Sequence, residues 1–147
     1  MAHRYEQQVT IAAPASKVFD YVSDMTKHGE WGEHGLQVTA DGSGPVAVGS
    51  TYSTVAKQFG TQKEKSTVTD YNPGSLFGWD STGALGTVHH WFQLSEDGGS
   101  TTLTKGFDLK YGSFLSKLFG WRIKMNAPKD LARDLERIKA KVEGAAA

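Results

Sequence analysis

The densest group of chemically capable side chains in this 147-residue sequence lies in one short segment. Two imidazoles and two carboxylates fall within seven residues: His28, Glu30, Glu33 and His34. Histidine and glutamate both ligate zinc. The inverted zincin pattern, however, needs His-x-x-Glu-His on a rigid helix, and Gly32 interrupts this segment. We therefore interpret it as a solvated loop with one buried anchor, Trp31, and expect no metal site.

A second pair of imidazoles, His89 and His90, falls on a predicted strand. Neighbouring side chains on a strand point to opposite faces, so the two rings cannot bind one ion together. His90 shares the more apolar parity with Val88 and Phe92, which places it inside. There it is either a buried histidine with a local hydrogen-bond partner or a polar contact for a ligand. A general acid/base role also stays open, because imidazole titrates near neutrality.

Other catalytic and cofactor signatures are missing from the sequence. It contains no Gly-x-Ser-x-Gly elbow, no Gly-x-Gly-x-x-Gly and no P-loop. It also has no cysteine, which excludes disulfides, thiolate metal ligands and a cysteine nucleophile. We expect no catalytic residues and no cofactor.

Length and charge set the broad class of the protein. A chain of 147 residues suits a single domain spanning 1–147. Sixteen basic residues balance sixteen acidic ones, so no overall field favours nucleic acid. No apolar run is long enough to span a membrane, and the first residues lack the apolar region of a secretory signal. We expect a cytoplasmic protein that is a monomer or a homodimer.

The basic residues concentrate at the C-terminal end. From Lys117 onward, eight Lys and Arg stand against four Asp and Glu. Because the acids are interspersed among the bases, a solvated helix face is the favoured interpretation. An interaction module that docks through this basic helix remains an alternative.

Alternating apolar and polar residues between Gly and Pro turns indicate an antiparallel sheet. A helix opens at Pro14, and the glycines after Trp31 end a second short helical stretch. The predicted strands are Arg4 to Ala12, Leu36 to Ala40, Thr51 to Phe59, Thr61 to Tyr71, Leu76 to Ser81, Thr87 to Ser95 and Thr101 to Leu109.

From Ser113 the apolar period changes from 2 to 3.6. One stripe then runs through nearly thirty residues: Phe114, Leu118, Trp121, Met125, Leu131, Leu135, Ile138 and Val142. This spacing predicts a long helix over roughly Lys117 to Val142, kinked or split by Pro128. Strands followed by a terminal helix indicate an α+β fold.

Three sequence motifs, in this order along the chain, resemble those of a known family. They are Val9-Thr10-Ile11-Ala12-Ala13-Pro14, then Val18-Phe19-Asp20-Tyr21-Val22-Ser23-Asp24 followed by Trp31, and finally His90-Trp91-Phe92-Gln93-Leu94 with its Asp97-Gly98-Gly99 turn and Thr-rich strand. The chain resembles the polyketide cyclase/dehydrase branch of the START/Bet v 1-like (SRPBCC) superfamily over almost its whole length. These motifs are structural signatures rather than catalytic ones.

The resemblance implies a helix-grip fold. In that fold a curved seven-stranded antiparallel sheet surrounds a long C-terminal helix, two short helices follow the first strand, and a cavity lies between sheet and helix. Known relatives bind lipids, sterols, polyketides or plant hormones, and a minority catalyse cyclisation or dehydration. A shared fold does not transfer a reaction.

We therefore expect the chain to bind or carry a small hydrophobic molecule, such as a lipid, an aromatic or a polyketide-like compound. Tyr52 and His90 would orient the ligand, with Lys105 a further polar candidate, and an aromatase/cyclase-type enzyme is the alternative. Which side chains line a pocket and which fill the core stays open at this point. The candidate ligand-binding residues are Tyr52, Trp79, His90, Phe92, Phe107, Phe114, Leu118, Trp121 and Met125.

Overall fold

A computed structural model of the chain describes residues 3–32, 36–57, 61–83, 86–109 and 120–146. Seven strands form one curved antiparallel sheet in the order β1-β7-β6-β5-β4-β3-β2. The strands are β1 (His3–Ile11), β2 (Gln37–Ala40), β3 (Thr51–Lys57), β4 (Thr61–Asn72), β5 (Leu76–Gly83), β6 (Gly86–Asp97) and β7 (Ser100–Leu109). This is the α+β helix-grip arrangement that the sequence predicted.

Three helical segments complete the described fold: α1 (Ala15–Val22), a 3₁₀ helix (Met25–Glu30) and α2 (Gly120–Ala146). Pro14 precedes α1 in an extended conformation, and the Ala15 N–H donates to Glu96 Oε1 at 2.5 Å. The Asp24 side chain accepts from the Thr26 N–H at 3.1 Å and so caps the 3₁₀ helix. The two short helices predicted after β1 are confirmed.

The long C-terminal helix differs in one respect from the prediction. Pro128 lies inside α2, which continues unbroken from Gly120 to Ala146. Of the two effects predicted for Pro128, a split of the helix is therefore wrong, and a kink stays a prediction. Proline removes one backbone donor. Because Pro128 is exposed while Leu131 and Leu135 are buried, packing of the apolar stripe holds the helix together.

A closely packed core fills one end of the interior, where β1 ends and β7 begins. α2 lies against β1, β7 and α1. The predicted stripe is confirmed in its second half, since all four residues there are buried. The residues of this core are Ile11, Val18, Phe19, Val22, Leu94, Leu103, Leu131, Leu135, Ile138 and Val142.

Polar contacts fasten the end of α2 to the sheet. Glu143 accepts from the Ala12 N–H at 2.9 Å and from Lys139 Nζ at 2.6 Å. Lys139 Nζ also donates to the Thr10 carbonyl at 2.8 Å. These contacts fix which side of α2 faces the interior.

The outer surface offers little apolar area in the described part of the chain. Among the side chains described there, the only large exposed hydrophobic one is Val48, between β2 and β3. Docking through the outer face of the C-terminal helix would require exposed apolar residues on α2, and none of its described large hydrophobic side chains is exposed. Within the described residues, no helix is long and apolar enough to cross a membrane.

Candidate functional site

A row of rings crosses the inner face of the sheet from β1 to β5. Register pairs Tyr5 with Phe107, Phe107 with His90, and His90 with Trp79. The corresponding ring centroids lie 5.2, 6.0 and 5.0 Å apart, and the His90 and Trp79 rings are nearly parallel at 13°. The Phe107 ring is tilted by 45° to His90 and by 30° to Tyr5, so the row places one imidazole among rings of different orientation.

The next row toward the core combines rings with a buried cation. Phe92 pairs with Phe77 on one side and with Lys105 on the other. The Lys105 ammonium lies 5.9 Å from the Phe92 ring centroid and 5.5 Å from that of Trp31. An ammonium at this distance from ring faces gains from cation–π attraction, most of all when water is excluded.

His90 lies between the fully buried and the partly buried side chains of the inner face. The residue as a whole is only partly buried, yet its Nδ1 atom is buried and has no hydrogen-bond partner among the described residues. Burial lowers the pKa of His90 well below its ordinary 6.5, and the charge of Lys105 acts in the same direction. His90 is therefore a neutral imidazole, and the local hydrogen-bond partner considered from the sequence is not found for Nδ1 in the described part of the chain.

The least buried part of this region lies at the end of the sheet where β5 and β7 finish and β6 begins. Four residues there share the inward-facing parity and are only partly buried: Glu64, Val88, His90 and Phe107. We call these four residues the upper interior. Their partial exposure contrasts with the complete burial of Phe77, Phe92 and Leu103 deeper in the same face.

An ion pair inside the interior joins the sheet to α2. Lys105 Nζ lies 3.6 Å from Asp134 Oδ2, and the two side chains are 6% and 9% exposed. Burial lowers the pKa of Lys105, and the Asp134 carboxylate opposes this shift. Arg137 lies 3.6 Å from Asp134 Oδ1 and also donates to the Trp31 carbonyl at 3.1 Å. The tail acids were expected on a solvated helix face, and for Asp134 this is wrong, because it pairs with a buried lysine.

His28 also departs from the sequence prediction, which placed it in a solvated loop. It is buried in the 3₁₀ helix, with its ring centroid 4.7 Å from that of Trp31 and 4.9 Å from that of Trp79. Its Nε2 lies 2.8 Å from the Val22 carbonyl. Because a carbonyl only accepts, Nε2 carries the proton and donates. The proposed anchor Trp31 is buried as predicted.

The pH dependence of stability should report on this burial. Burial lowers the pKa of His28 from 6.5 to about 4, aided by Lys105 and opposed by the Val22 hydrogen bond. Between these values the unfolded chain binds a proton that the folded protein does not, so stability falls as pH falls through this window. Lowering the pH from 7 to 4.5 should cost about 2–3 kcal/mol through His28 alone.

Urea denaturation of the wild type and of His28→Gln at both pH values measures this effect. The glutamine amide retains a donor for the Val22 carbonyl but does not titrate, so the loss at low pH should shrink by about 2–3 kcal/mol. An equal loss in the two proteins would show that His28 is not buried as a neutral group.

The other residues considered as zinc ligands are only partly described. Glu30 is exposed and accepts from the Tyr21 hydroxyl at 2.9 Å. Glu33 and His34 lie outside the described residues. Among the residues that the structure does describe, no group of three or more His, Asp or Glu side chains is placed to hold a metal ion.

A line of hydroxyls crosses the inner face beside the ring row. Ser66 Oγ lies 3.2 Å from Thr54 Oγ1 and 2.9 Å from Ser81 Oγ, and all three residues are buried. Glu64 shares the inward parity of Ser66, and burial raises the pKa of its carboxyl group. The inner face thus carries rings and the buried Lys105 on β5, β6 and β7, and a line of buried hydroxyls on β3, β4 and β5.

The structure brings together four of the predicted site residues, Trp79, His90, Phe92 and Phe107. Tyr52 is buried on the same face and lies on β3, three strands from His90 and about 14 Å away when measured along the sheet. Its joint action with His90 on one ligand stays a prediction. Phe114 and Leu118 lie outside the described residues, as do the side chains of Trp121 and Met125 on α2.

The other histidine of the pair, His89, faces outward as predicted. Its Nδ1 lies 2.7 Å from Asp80 Oδ1, and its Nε2 lies 3.7 Å from Asp70 Oδ2. On the same convex face Trp91 lies against Gly106, where a Cβ atom would come within 2.3 Å of the indole ring. His89 takes no part in the interior.

Sequence reasoning missed His28, Asp134 and the hydroxyl line. Asp134 did carry a signal, because it falls three residues after Leu131 and four before Ile138, on the buried side of the stripe. Ser66 and Ser81 share strand parity with Val68 and Trp79, which also indicated burial. His28 carried no comparable signal.

Comparison with known proteins bears on this geometry. A family model described as "Polyketide cyclase / dehydrase and lipid transport" matches residues 2–143. The chain belongs to this family. No curated protein matches its sequence.

Solved structures from this fold class superpose over nearly the whole chain. TTHA0849 from Thermus thermophilus matches at TM-score 0.77 and 11% identity, covering 99% of this chain and 100% of that one. The Zhui aromatase/cyclase from Streptomyces sp. R1128 matches at TM-score 0.72 and 16% identity, covering 99% of this chain and 98% of that one. Ara h 8.0201 matches at TM-score 0.68 and 14% identity, covering 98% of this chain and 99% of that one. Identities this low establish the shared fold alone.

Proposed function

We propose that this protein binds a small hydrophobic molecule between the sheet and α2, and carries it without chemical conversion. The observation that carries the proposal is His90, whose ring is partly accessible while its Nδ1 is buried without a partner among the described residues. An unsatisfied buried polar atom costs about 1–3 kcal/mol. A ligand with one hydrogen-bonding group would satisfy it.

The surroundings of His90 suit an apolar ligand. Trp79 and Phe107 flank it, and Phe92 closes the row behind. Binding sites for small molecules are mostly apolar with a few polar groups that fix orientation. The family's description includes lipid transport, which agrees with a carrier.

The test compares a substitution in the upper interior with a matched one outside. Val88 faces inward on β6 and is partly buried, whereas Gln93 faces outward on the same strand and is exposed. Val88→Trp should fill the ligand space, and Gln93→Trp should not. Titration with 1-aminoanthracene, a neutral probe whose emission rises in apolar surroundings, gives the affinity of each protein.

We expect Val88→Trp to weaken probe binding at least about tenfold while its urea midpoint stays near that of Gln93→Trp. If the position instead belonged to a filled core, the added bulk would cost about 1–3 kcal/mol of stability. A large loss of stability with unchanged probe affinity would contradict the proposal.

A cyclase is the second candidate, and the buried Lys105–Asp134 pair is the observation that favours it. The two groups lie 3.6 Å apart near the neutral imidazoles of His28 and His90, and such groups suit proton transfer. One similar structure is that of an aromatase/cyclase. Conversion of a polyketide-like substrate at a rate abolished by His90→Ala would replace the carrier proposal with this one.

A further inference from the structure

A second buried nitrogen of the interior has no hydrogen-bond partner in the described part of the chain. Trp31 is 3% exposed, and its Nε1 atom is buried with no hydrogen-bond partner among the described residues. Arg137 donates to the backbone carbonyl of Trp31 at 3.1 Å, and the His28 ring lies 4.7 Å from the indole ring, centroid to centroid. An indole N–H only donates, so whatever satisfies it must be an acceptor.

The two unpartnered nitrogens border the same pair of rings. The Trp31 centroid lies 5.6 Å from that of Phe92, and the His90 centroid lies 5.0 Å from that of Trp79. Phe92 and Trp79 are themselves 5.8 Å apart. Trp31, Phe92, Trp79 and His90 therefore form one continuous group of rings, and the first and last of them each carry a nitrogen without a partner in the described part of the chain.

The charges described around these rings leave no place for a further anion. Asp134 already neutralises the buried Lys105 at 3.6 Å, and Arg137, the second cation beside Asp134, has 43% of its side chain exposed to solvent. Burial keeps His28 and His90 neutral and raises the pKa of Glu64, which makes that carboxyl group easier to protonate. A buried carboxylate without its own counter-charge is strongly disfavoured, whereas a neutral oxygen acceptor is not.

From this arrangement we infer that the interior selects neutral ligands with a carbonyl oxygen directed at Trp31 over carboxylates of the same shape. The inference rests on the proposed function and narrows its ligand class. It excludes free fatty acids and aromatic acids as preferred ligands. It favours aromatic ketones and related neutral carbonyl compounds.

Three naphthalenes of matched size test the inference by displacing 1-aminoanthracene at pH 7.5. 2-Acetylnaphthalene offers a neutral acceptor, 2-ethylnaphthalene offers none, and 2-naphthoate offers a charged one. We expect the ketone to bind about tenfold more tightly than the hydrocarbon, the scale of one hydrogen bond made in a buried site. The carboxylate should bind at least about tenfold more weakly than the ketone.

Trp31→Phe assigns the effect to the indole N–H, since it removes that donor and keeps an aromatic ring. In this variant the ketone should lose its advantage over 2-ethylnaphthalene, while the hydrocarbon's own affinity stays nearly unchanged. Trp91→Phe, on the convex face, is the control and should keep the advantage. Because the readout is a ratio within each protein, a modest loss of stability does not disturb it.

Each outcome decides one of the two proposals. Equal affinity for all three compounds, or tightest binding of the carboxylate, overturns the neutral-carbonyl inference and leaves the binding function standing. A ketone advantage that survives in Trp31→Phe also overturns it. Failure of all three compounds to displace the probe overturns the binding function itself.

Discussion

Removing the Asp134 carboxylate should destabilise this protein by about 3–5 kcal/mol, the cost of leaving a buried lysine without its counter-charge. Lys105 is 6% exposed in its side chain and lies between aromatic rings that exclude water. Urea denaturation of Asp134→Ala measures the loss. Glu136→Ala is the control on the same helix, because Glu136 is exposed, and its loss should stay within about 0.5 kcal/mol.

The same pair predicts an unusual response to pH. In Asp134→Asn the group that holds the pKa of Lys105 up is gone, so burial depresses the pKa further below its ordinary 10.5. Between the depressed value and 10.5 the unfolded chain keeps a proton that the folded protein has lost. Stability of the variant should therefore rise as pH rises through this interval, more steeply than in the wild type. If Asp134→Asn lost less than about 1 kcal/mol of stability and its stability did not rise with pH, the ammonium of Lys105 would be in contact with water.

A double replacement separates the charge from the space that it occupies. Lys105→Met combined with Asp134→Leu removes both charges and keeps similar volume. Apolar replacements of buried ion pairs are often neutral or stabilising, so the double variant should regain most of what Asp134→Ala loses. Should the double variant be as unstable as Asp134→Ala, the loss would come from packing rather than from the unpaired charge.

Leu135→Ala should cost about 2–5 kcal/mol, the usual range for truncating a leucine inside a core. Leu135 is 1% exposed and packs within the cluster that joins α2 to β1, β7 and α1. This loss is a large share of the roughly 5–15 kcal/mol that stabilises a domain. Glu136→Ala, the exposed neighbour, is the control and should stay within about 0.5 kcal/mol. A loss below about 0.5 kcal/mol for Leu135→Ala would mean that α2 is an appendage.

The sequence predicted the sheet and the helix because their signals are periodic. Alternation placed all seven strands within a few residues of their observed bounds, and the 3.6-residue stripe placed Leu131, Leu135 and Ile138 inside. The effect of Pro128 was harder to predict, because a proline's effect on a helix depends on whether neighbouring side chains are packed. In α2 the neighbouring Leu131 and Leu135 are packed in the core, so the helix continues through Pro128 without the backbone N–H that proline lacks.

The site was harder to predict because it depends on contacts between distant segments. Strand parity placed His90, Phe92 and Phe107 on the inner face, as observed. The same parity also put Tyr52 inside, as observed, but it gave no distance across the sheet, and Tyr52 lies three strands from His90. A register shift between Val68 and Asp70 then lets both Val68 and Tyr71 face the core, which alternation alone does not predict.

His28 shows the limit of local pattern most clearly. Its glycine-rich surroundings are typical of a loop, yet tertiary packing against Trp31 and Trp79 buries it and lowers its pKa to about 4. Nothing in residues 25–31 taken alone indicates that these rings converge on it. Burial of a polar side chain by distant segments requires the three-dimensional structure.

Binding of an apolar molecule against Trp79, His90 and Phe107 inside the sheet is the central claim. A crystal structure of the protein with 1-aminoanthracene tests it most directly. We expect the probe's ring system against Trp79 and Phe107, with its amine within hydrogen-bond distance of His90 Nδ1. A probe found only on the convex face near Trp91 or on the outer side of α2, with the interior side chains unmoved, would contradict it.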